Sequence, residues 1–124
     1  MRFLKVVAVL SLCFMALSLL ATASQNKFGI ADNRTITFND PIWVGDKLLP
    51  KGEYQVSHVM EGNQHIMIFK QLNNSRPAEV RVPCQLVQLQ KKADRTERSY
   101  VLNAANERVL KSLIFQGDSA QHVF

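Results

Sequence analysis

Two histidines flank one of the turn signals of the chain, and imidazoles at this spacing could bind a metal ion. Gly62-Asn63 suits a two-residue hairpin loop, which would pair Met60 with His65 and make His58 and His65 diagonal neighbours on one face. A three-residue loop would shift the register by one and place the two histidines on opposite faces. Since an imidazole site usually needs three or four ligands, the pair is a weak metal candidate, and His122 near the C-terminus adds little.

Other side chains that could carry catalysis lack the neighbours that catalysis requires. Cys84 follows Pro83 in an apolar segment, which is typical of a buried small hydrophobe rather than of a reactive thiolate. The chain has no serine-hydrolase elbow, no convincing pair of carboxylates and no glycine-rich phosphate loop. We therefore predict no catalytic residue and no cofactor, and a small exported enzyme or metal-binding protein that uses His58 and His65 remains the less favoured alternative.

The N-terminal segment has the layout of a secretory signal peptide. Arg2 and Lys5 precede a nearly unbroken apolar run from Val6 to Leu20, and Ala21-Thr22-Ala23 supplies small residues before Ser24. The run is shorter than the roughly 20 residues that span a bilayer, which disfavours a membrane anchor. We expect residues 1–23 to be removed and residues 24–124 to form one secreted or periplasmic domain that does not span the membrane.

The net charge of the expected mature chain limits its partners, and its single cysteine excludes an intrachain disulfide. The formal net charge of the 124 residues is +5 and falls to +3 without Arg2 and Lys5. This excess is too small to indicate nucleic acid as a partner. Cys13 lies in the apolar run, so Cys84 has no partner within the mature chain and is either free or bridges two chains.

Residues 24–33 are polar with little pattern, and we expect them to form a loose N-terminal lead. Apolar residues after this lead recur with a period of two, which is typical of strands. Turn signals rich in Gly, Pro, Asn and Asp separate the segments, and this spacing predicts an all-β fold, a small antiparallel barrel or sandwich of about seven to nine strands. The predicted strands are Thr35–Phe38, Ile42–Val44, Lys47–Leu49, Glu53–Met60, Gln64–Leu72, Ala78–Gln90, Arg98–Asn103, Val109–Phe115 and Gln121–Phe124.

A proline, a possible helical turn and a charged run interrupt this pattern of strands. Pro83 cannot donate to a strand ladder, so its strand should lie at an edge, bend or bulge there. Residues 103–111 allow either a single helical turn or a hairpin loop with Asn106 in the turn, and we favour the loop. The charged run from Lys91 to Arg98 is expected to be a solvated hairpin tip.

The run from Thr35 to Tyr54 resembles the opening of a group of short exported bacterial proteins that are abundant in acidobacteria. They share Phe, Pro, Val-Gly, Leu-Pro and Gly-x-Tyr in this order, which correspond here to Phe38, Pro41, Val44-Gly45, Leu49-Pro50 and Gly52-Glu53-Tyr54. The resemblance implies an exported, β-rich protein and no particular activity. The glycines also have a simple structural explanation, because Gly45 and Gly52 suit turn positions with a positive φ.

These observations favour a non-catalytic binding or structural module of the cell envelope, whose partner would be an envelope protein or a glycan. Trp43 is a weak candidate for stacking on such a ligand, although core packing is the commoner role of a strand aromatic. The alternative is a subunit that docks through an exposed edge strand, such as the strand interrupted by Pro83.

Overall fold

The computed structural model describes residues 27–124, and these residues form strands, turns and loops without a helix. The expected signal peptide, residues 1–23, lies outside the described residues. Nine strands follow one another along the chain, which confirms the all-β prediction. Their bounds are β1 Asn33–Phe38, β2 Ile42–Val44, β3 Lys47–Leu49, β4 Gly52–Glu61, β5 Gln64–Gln71, β6 Glu79–Gln88, β7 Glu97–Leu102, β8 Arg108–Ile114 and β9 Ala120–Val123.

The nine strands belong to one sheet that does not close on itself. The strand order is β1-β4-β5-β6-β9-β8-β2-β3, and β7 pairs with β8 beside this path. Every pairing is antiparallel except that of β2 with β8, which is parallel and joins Trp43 to Val109. The β2–β3 hairpin also reaches β6, where Lys47 Nζ donates a hydrogen bond of 2.8 Å to the carbonyl of Glu79.

Strand β6 changes its partner halfway along its length. Its residues from Glu79 to Cys84 pair with β5, whereas those from Gln85 to Gln88 pair with β9. Pro83 lies just before the change, and it is compatible with this position because each half of β6 pairs with only one neighbouring strand. The strand therefore joins two parts of the sheet, one containing β1, β4 and β5 and the other containing β9, β8, β2, β3 and β7.

One side of both parts contributes to a common hydrophobic core. Residues alternate between buried and exposed along β1, β4 and β6, as a half-buried strand requires. The buried cluster comprises Ile36, Phe38, Ile42, Val44, Leu49, Tyr54, Val56, Met67, Phe69, Val82, Cys84, Leu110, Leu113 and Phe115. Burial of this apolar surface is the main stabilising contribution available to a chain of this size, because Cys84 is a free thiol.

The segment before β1 packs against the sheet although it contains no strand longer than a single bridge. Ile30 is fully buried, and the Ser119 amide donates a 2.9 Å hydrogen bond to the carbonyl of Gly29. The Phe28 ring lies against the imidazoles of His58 and His65. Residues 27–32 thus cover the end of the sheet where the histidines lie.

The structure confirms one of two predicted hairpin loops and contradicts the other. Residues 103–107 form the favoured hairpin loop between β7 and β8, with Asn106 at φ 63° and the Asn103 side chain accepting hydrogen bonds from the amides of Ala105 and Glu107. The charged side chains from Lys91 to Arg98 are exposed, and the last two of these residues are the first of β7. The prediction of a hairpin tip was wrong, because β6 and β7 do not pair with each other and β7 pairs with β8 instead.

Replacement of Gly45 by alanine is expected to lower the free energy of unfolding by about 2 kcal/mol, because Gly45 has a positive φ of 58° and little space. An added Cβ would lie 3.3 Å from Cγ2 of Val82. Gly62→Ala is the matched control, since Gly62 has φ 60° with nothing within 4 Å of the added Cβ, and only backbone strain of about 1 kcal/mol is expected. Urea unfolding measures the loss of stability in both variants. Equal losses in the two variants would show that the contact with Val82 has no energetic cost.

Candidate functional site

The hairpin between β4 and β5 brings His58 and His65 together. It has the two-residue loop, with Glu61 paired to Gln64, Met60 to His65 and His58 to Met67. Because alternate residues share a face of the sheet, both imidazoles project to the same side. Nε2 of His58 lies 2.8 Å from Nδ1 of His65, which is a hydrogen bond in which one ring donates and the other accepts.

His122 joins this pair from the other part of the sheet. Its ring centroid is 6.3 Å from that of His58 and 5.9 Å from that of Phe115. His122 is 1% exposed and His58 is 6% exposed, so both rings are almost completely removed from water. The three histidines of the chain therefore form one histidine cluster; the sequence predicted the proximity of His58 and His65 but not that His122 lies beside them.

Burial keeps His122 neutral at ordinary pH and also lowers the pKa of His58. Desolvation is the main cause that lowers the pKa of His122 to about 4, and the positive charges that His58, His65 and Arg34 can carry act in the same direction. The pKa of His58 is also lowered, first by burial and then by His65, while the Asp32 carboxylate opposes this shift. Two or more charged imidazoles at this position would be unfavourable.

Cys84 lies beside the histidine cluster as a protonated thiol. Its Sγ is 4.0 Å from Nδ1 of His122, and the residue is paired directly with His65 across β5 and β6. Burial raises the pKa of the Cys84 thiol to about 11, so the nucleophilic thiolate is scarce near neutral pH. The prediction that Cys84 is a buried small hydrophobe agrees with its 7% exposure and its place in the core.

An ion pair between β1 and the loop before β9 lies next to His122. The guanidinium of Arg34 donates to Oδ1 of Asp118, whose side chain is fully buried, while 31% of the Arg34 side chain is exposed. Burial raises the pKa of the Asp118 carboxyl, and the hydrogen bond and charge of Arg34 oppose this shift. The Arg34 guanidinium also lies over the Phe115 ring, 5.7 Å from its centroid.

A cleft of about 980 Å³ opens beside the histidine cluster, at the place where β6 leaves β5 for β9. Its volume is within the range of binding sites for small molecules. The walls come from the β4–β5 hairpin, the middle of β6 and the end of β9. The lining residues are Glu61, Asn63, Gln64, His65, Pro83, Cys84, Gln85, Leu86, Val123 and Phe124.

Trp43 does not line this cleft and takes part in a different surface. It is paired with Leu48 on β3 and with Val109 on β8, and Val109 is paired in turn with Val101 on β7. Directly paired residues project to the same side of a sheet, so these four side chains form an apolar row, in which Leu48 is 40% exposed and Val101 46% exposed. Trp43 is half-buried within the row, and its role in binding stays a prediction.

The described residues do not assemble a conventional metal centre. Across residues 27–124, no three side chains of His, Cys, Asp or Glu are arranged so that they could hold one metal ion together.

No helix capable of crossing a membrane occurs in the same stretch of chain. Compared with known proteins, the chain matches no family model, no curated protein and no solved structure.

Proposed function

We propose that this protein is a small exported β-domain, secreted or periplasmic, that acts as a non-catalytic binding module of the cell envelope. The observation that carries the proposal is the cleft of about 980 Å³ beside the histidine cluster. Polar groups from Gln64, His65 and Gln85 and apolar groups from Leu86 and Phe124 line it. This mixture suits a small envelope glycan, which presents both hydroxyl groups and apolar ring faces.

The architecture that we propose for the module is a small open barrel or a sandwich. Two observations support a sheet that curves over its own core. Buried side chains from both parts of the sheet belong to one cluster, and the β2–β3 hairpin contacts β6 through the hydrogen bond from Lys47 to Glu79. The resemblance of residues 35–54 to exported bacterial proteins supports the compartment.

A non-catalytic role is favoured by the state of the reactive groups beside the cleft. The Cys84 thiol has its pKa raised by burial to about 11, and the pKa of His122 is lowered by burial to about 4. At neutral pH the thiol is therefore protonated, and His122 is neutral but 1% exposed, so it has little access to a substrate in solution.

A second candidate function is docking of a protein partner along an edge strand. Strand β7 pairs with β8 alone, and its residues Val101 and Leu102 are 46% and 61% exposed. A strand with one unpaired edge can accept a further strand from a partner. Each half of β6 also pairs with only one neighbour, but β7 is the favoured docking strand because it exposes two large apolar side chains whereas β6 exposes one, Val87.

A thermal melt in the presence of envelope glycans tests the binding proposal. A ligand that binds the folded state is expected to raise the melting temperature with its concentration, and Leu86→Arg should abolish the rise by filling the cleft. Val87→Arg is the matched control, because Val87 adjoins Leu86 but is 48% exposed and does not line the cleft. A rise that persists in Leu86→Arg, or the absence of a rise with any glycan, would contradict the proposal.

A further inference from the structure

Soft donor atoms are concentrated on one face of β4, β5 and β6. Met60, His65 and Cys84 form one row of directly paired residues across the three strands. The adjacent row contains His58 and Met67. Because residues of both rows share a face, two imidazoles, two thioethers and one thiol project to the same side of the sheet. Thioether and thiolate sulfur atoms select Cu(I) in proteins, and imidazole nitrogen also binds copper.

Two of these donors already face each other. Nε2 of His58 and Nδ1 of His65 are 2.8 Å apart, and the backbone of a two-residue hairpin holds the two residues in register. A metal–imidazole bond is about 2 Å long, so an ion held in line between two nitrogens needs them about 4 Å apart. The site that we infer therefore requires the pair to open, and the movement has to come from His65, which is half-buried at the wall of the cleft, whereas His58 is 6% exposed.

The surroundings of the pair favour an ion of low charge and low coordination number. The Phe28 ring meets both imidazoles edge-on, with centroids 5.6 Å from His58 and 4.9 Å from His65. A divalent ion such as Zn²⁺ requires a tetrahedral set of ligands, and no three His, Cys, Asp or Glu side chains of residues 27–124 supply one. Cu(I) carries one charge and is stable with two ligands in line.

We infer that His58 and His65 form a binding site for a single Cu(I) ion, with the sulfur atoms of Met60 and Cys84 beside it in the same row. Met60 is 41% exposed and Cys84 lines the cleft, so the site can be reached from two sides. The inference goes beyond the proposed function, because it concerns the histidine pair and not the ligand that fills the cleft.

The test is an anaerobic competition between the protein and a chromophoric Cu(I) chelator, with ascorbate present and with Ag(I) as a redox-inert second probe. The full-length gene is expressed, and the protein is purified as it accumulates. We expect one ion per chain, an affinity at least tenfold lower in His65→Gln, and a smaller loss in Met60→Leu. Gln55→Ala is the control, since Gln55 is exposed on the opposite face of β4.

Two further measurements keep the test decisive if His65→Gln does not fold. Urea unfolding checks each variant, and the imidazole ¹⁵N resonances of the wild-type protein report coordination without any substitution. We expect Ag(I) to shift the signals of Nε2 of His58 and Nδ1 of His65. Folded wild-type protein that does not compete for Cu(I), or that binds Ag(I) without moving these signals, would overturn the inference. A glycan-induced rise in the melting temperature would leave the proposed function standing in either case.

Discussion

Arg34→Met is expected to destabilise the protein by about 3 kcal/mol at pH 7.5, because it leaves the carboxylate of Asp118 buried without its ionic partner. Asp118 is fully buried, so its charge cannot be rehydrated without opening the loop before β9. The variant also loses the contact of the guanidinium with the Phe115 ring. The free energy of unfolding, measured by urea denaturation, gives the loss directly.

Arg81→Met is the matched control for this experiment. Arg81 pairs with Glu61, and each side chain is 52% exposed, so solvent screens the pair and a loss below about 0.5 kcal/mol is expected. The pH provides a second check. Burial already raises the pKa of Asp118, and removal of Arg34 raises it further, so protonation at lower pH relieves the unpaired charge. A loss in Arg34→Met that is no larger than in Arg81→Met, or that does not shrink between pH 7.5 and pH 5, would refute the prediction.

Acidification of the metal-free protein from pH 7.5 to pH 4.5 is expected to cost about 2 kcal/mol through His122 alone. Its pKa is about 4 in the folded protein and 6.5 when unperturbed. Between these values the unfolded chain binds more protons than the folded one, so stability is full above about pH 6.5 and is lost as the pH falls toward 4. The lowered pKa of His58 acts in the same direction.

The comparison of wild type with His122→Leu isolates this contribution in urea unfolding across the pH range. The buried carboxyl of Asp118 has a raised pKa and acts in the opposite direction, but it is common to both proteins and cancels in the difference. We expect the wild type to lose about 2 kcal/mol more than His122→Leu between pH 7.5 and pH 4.5. Parallel stability curves for the two proteins would mean that His122 is not neutral and buried in the folded state.

Local sequence patterns were sufficient to predict the strands but not the way in which they join. The two-residue alternation and the turn signals predicted the bounds of all nine strands to within a few residues. Alternation and turns depend only on residues that are close together in the sequence. The change of partner in β6 and the parallel pairing of β2 with β8 depend on strands far away in the chain, so alternation alone carries no information about them. The hairpin prediction for the Lys91–Arg98 run was wrong for this reason.

Within the histidine cluster, too, some neighbours could be predicted from the local sequence and others could not. His58 and His65 are connected by one short hairpin, so their proximity could be predicted once a two-residue loop was considered. His122 and Cys84 meet only because β6 crosses from β5 to β9, and Arg34 meets Asp118 across 84 positions of sequence. A histidine near the end of a chain has no local feature that predicts such neighbours. The position of His122 beside the pair could therefore not be predicted from the sequence.

The position of the β2–β3 hairpin has a consequence for the order in which the fold can form. Residues 42–49 lie in the first half of the chain, but the strand beside them is β8, which begins at residue 108. Strands β4, β5 and β6 can pair in succession through short loops, whereas β2 and β3 must wait until the last third of the chain has been synthesised. Closing a loop of about 60 residues costs conformational entropy before any contact compensates for it, which slows folding. We therefore expect an early intermediate built on β4, β5 and β6, in which the side of the core that β2 and β3 later cover is still exposed to water.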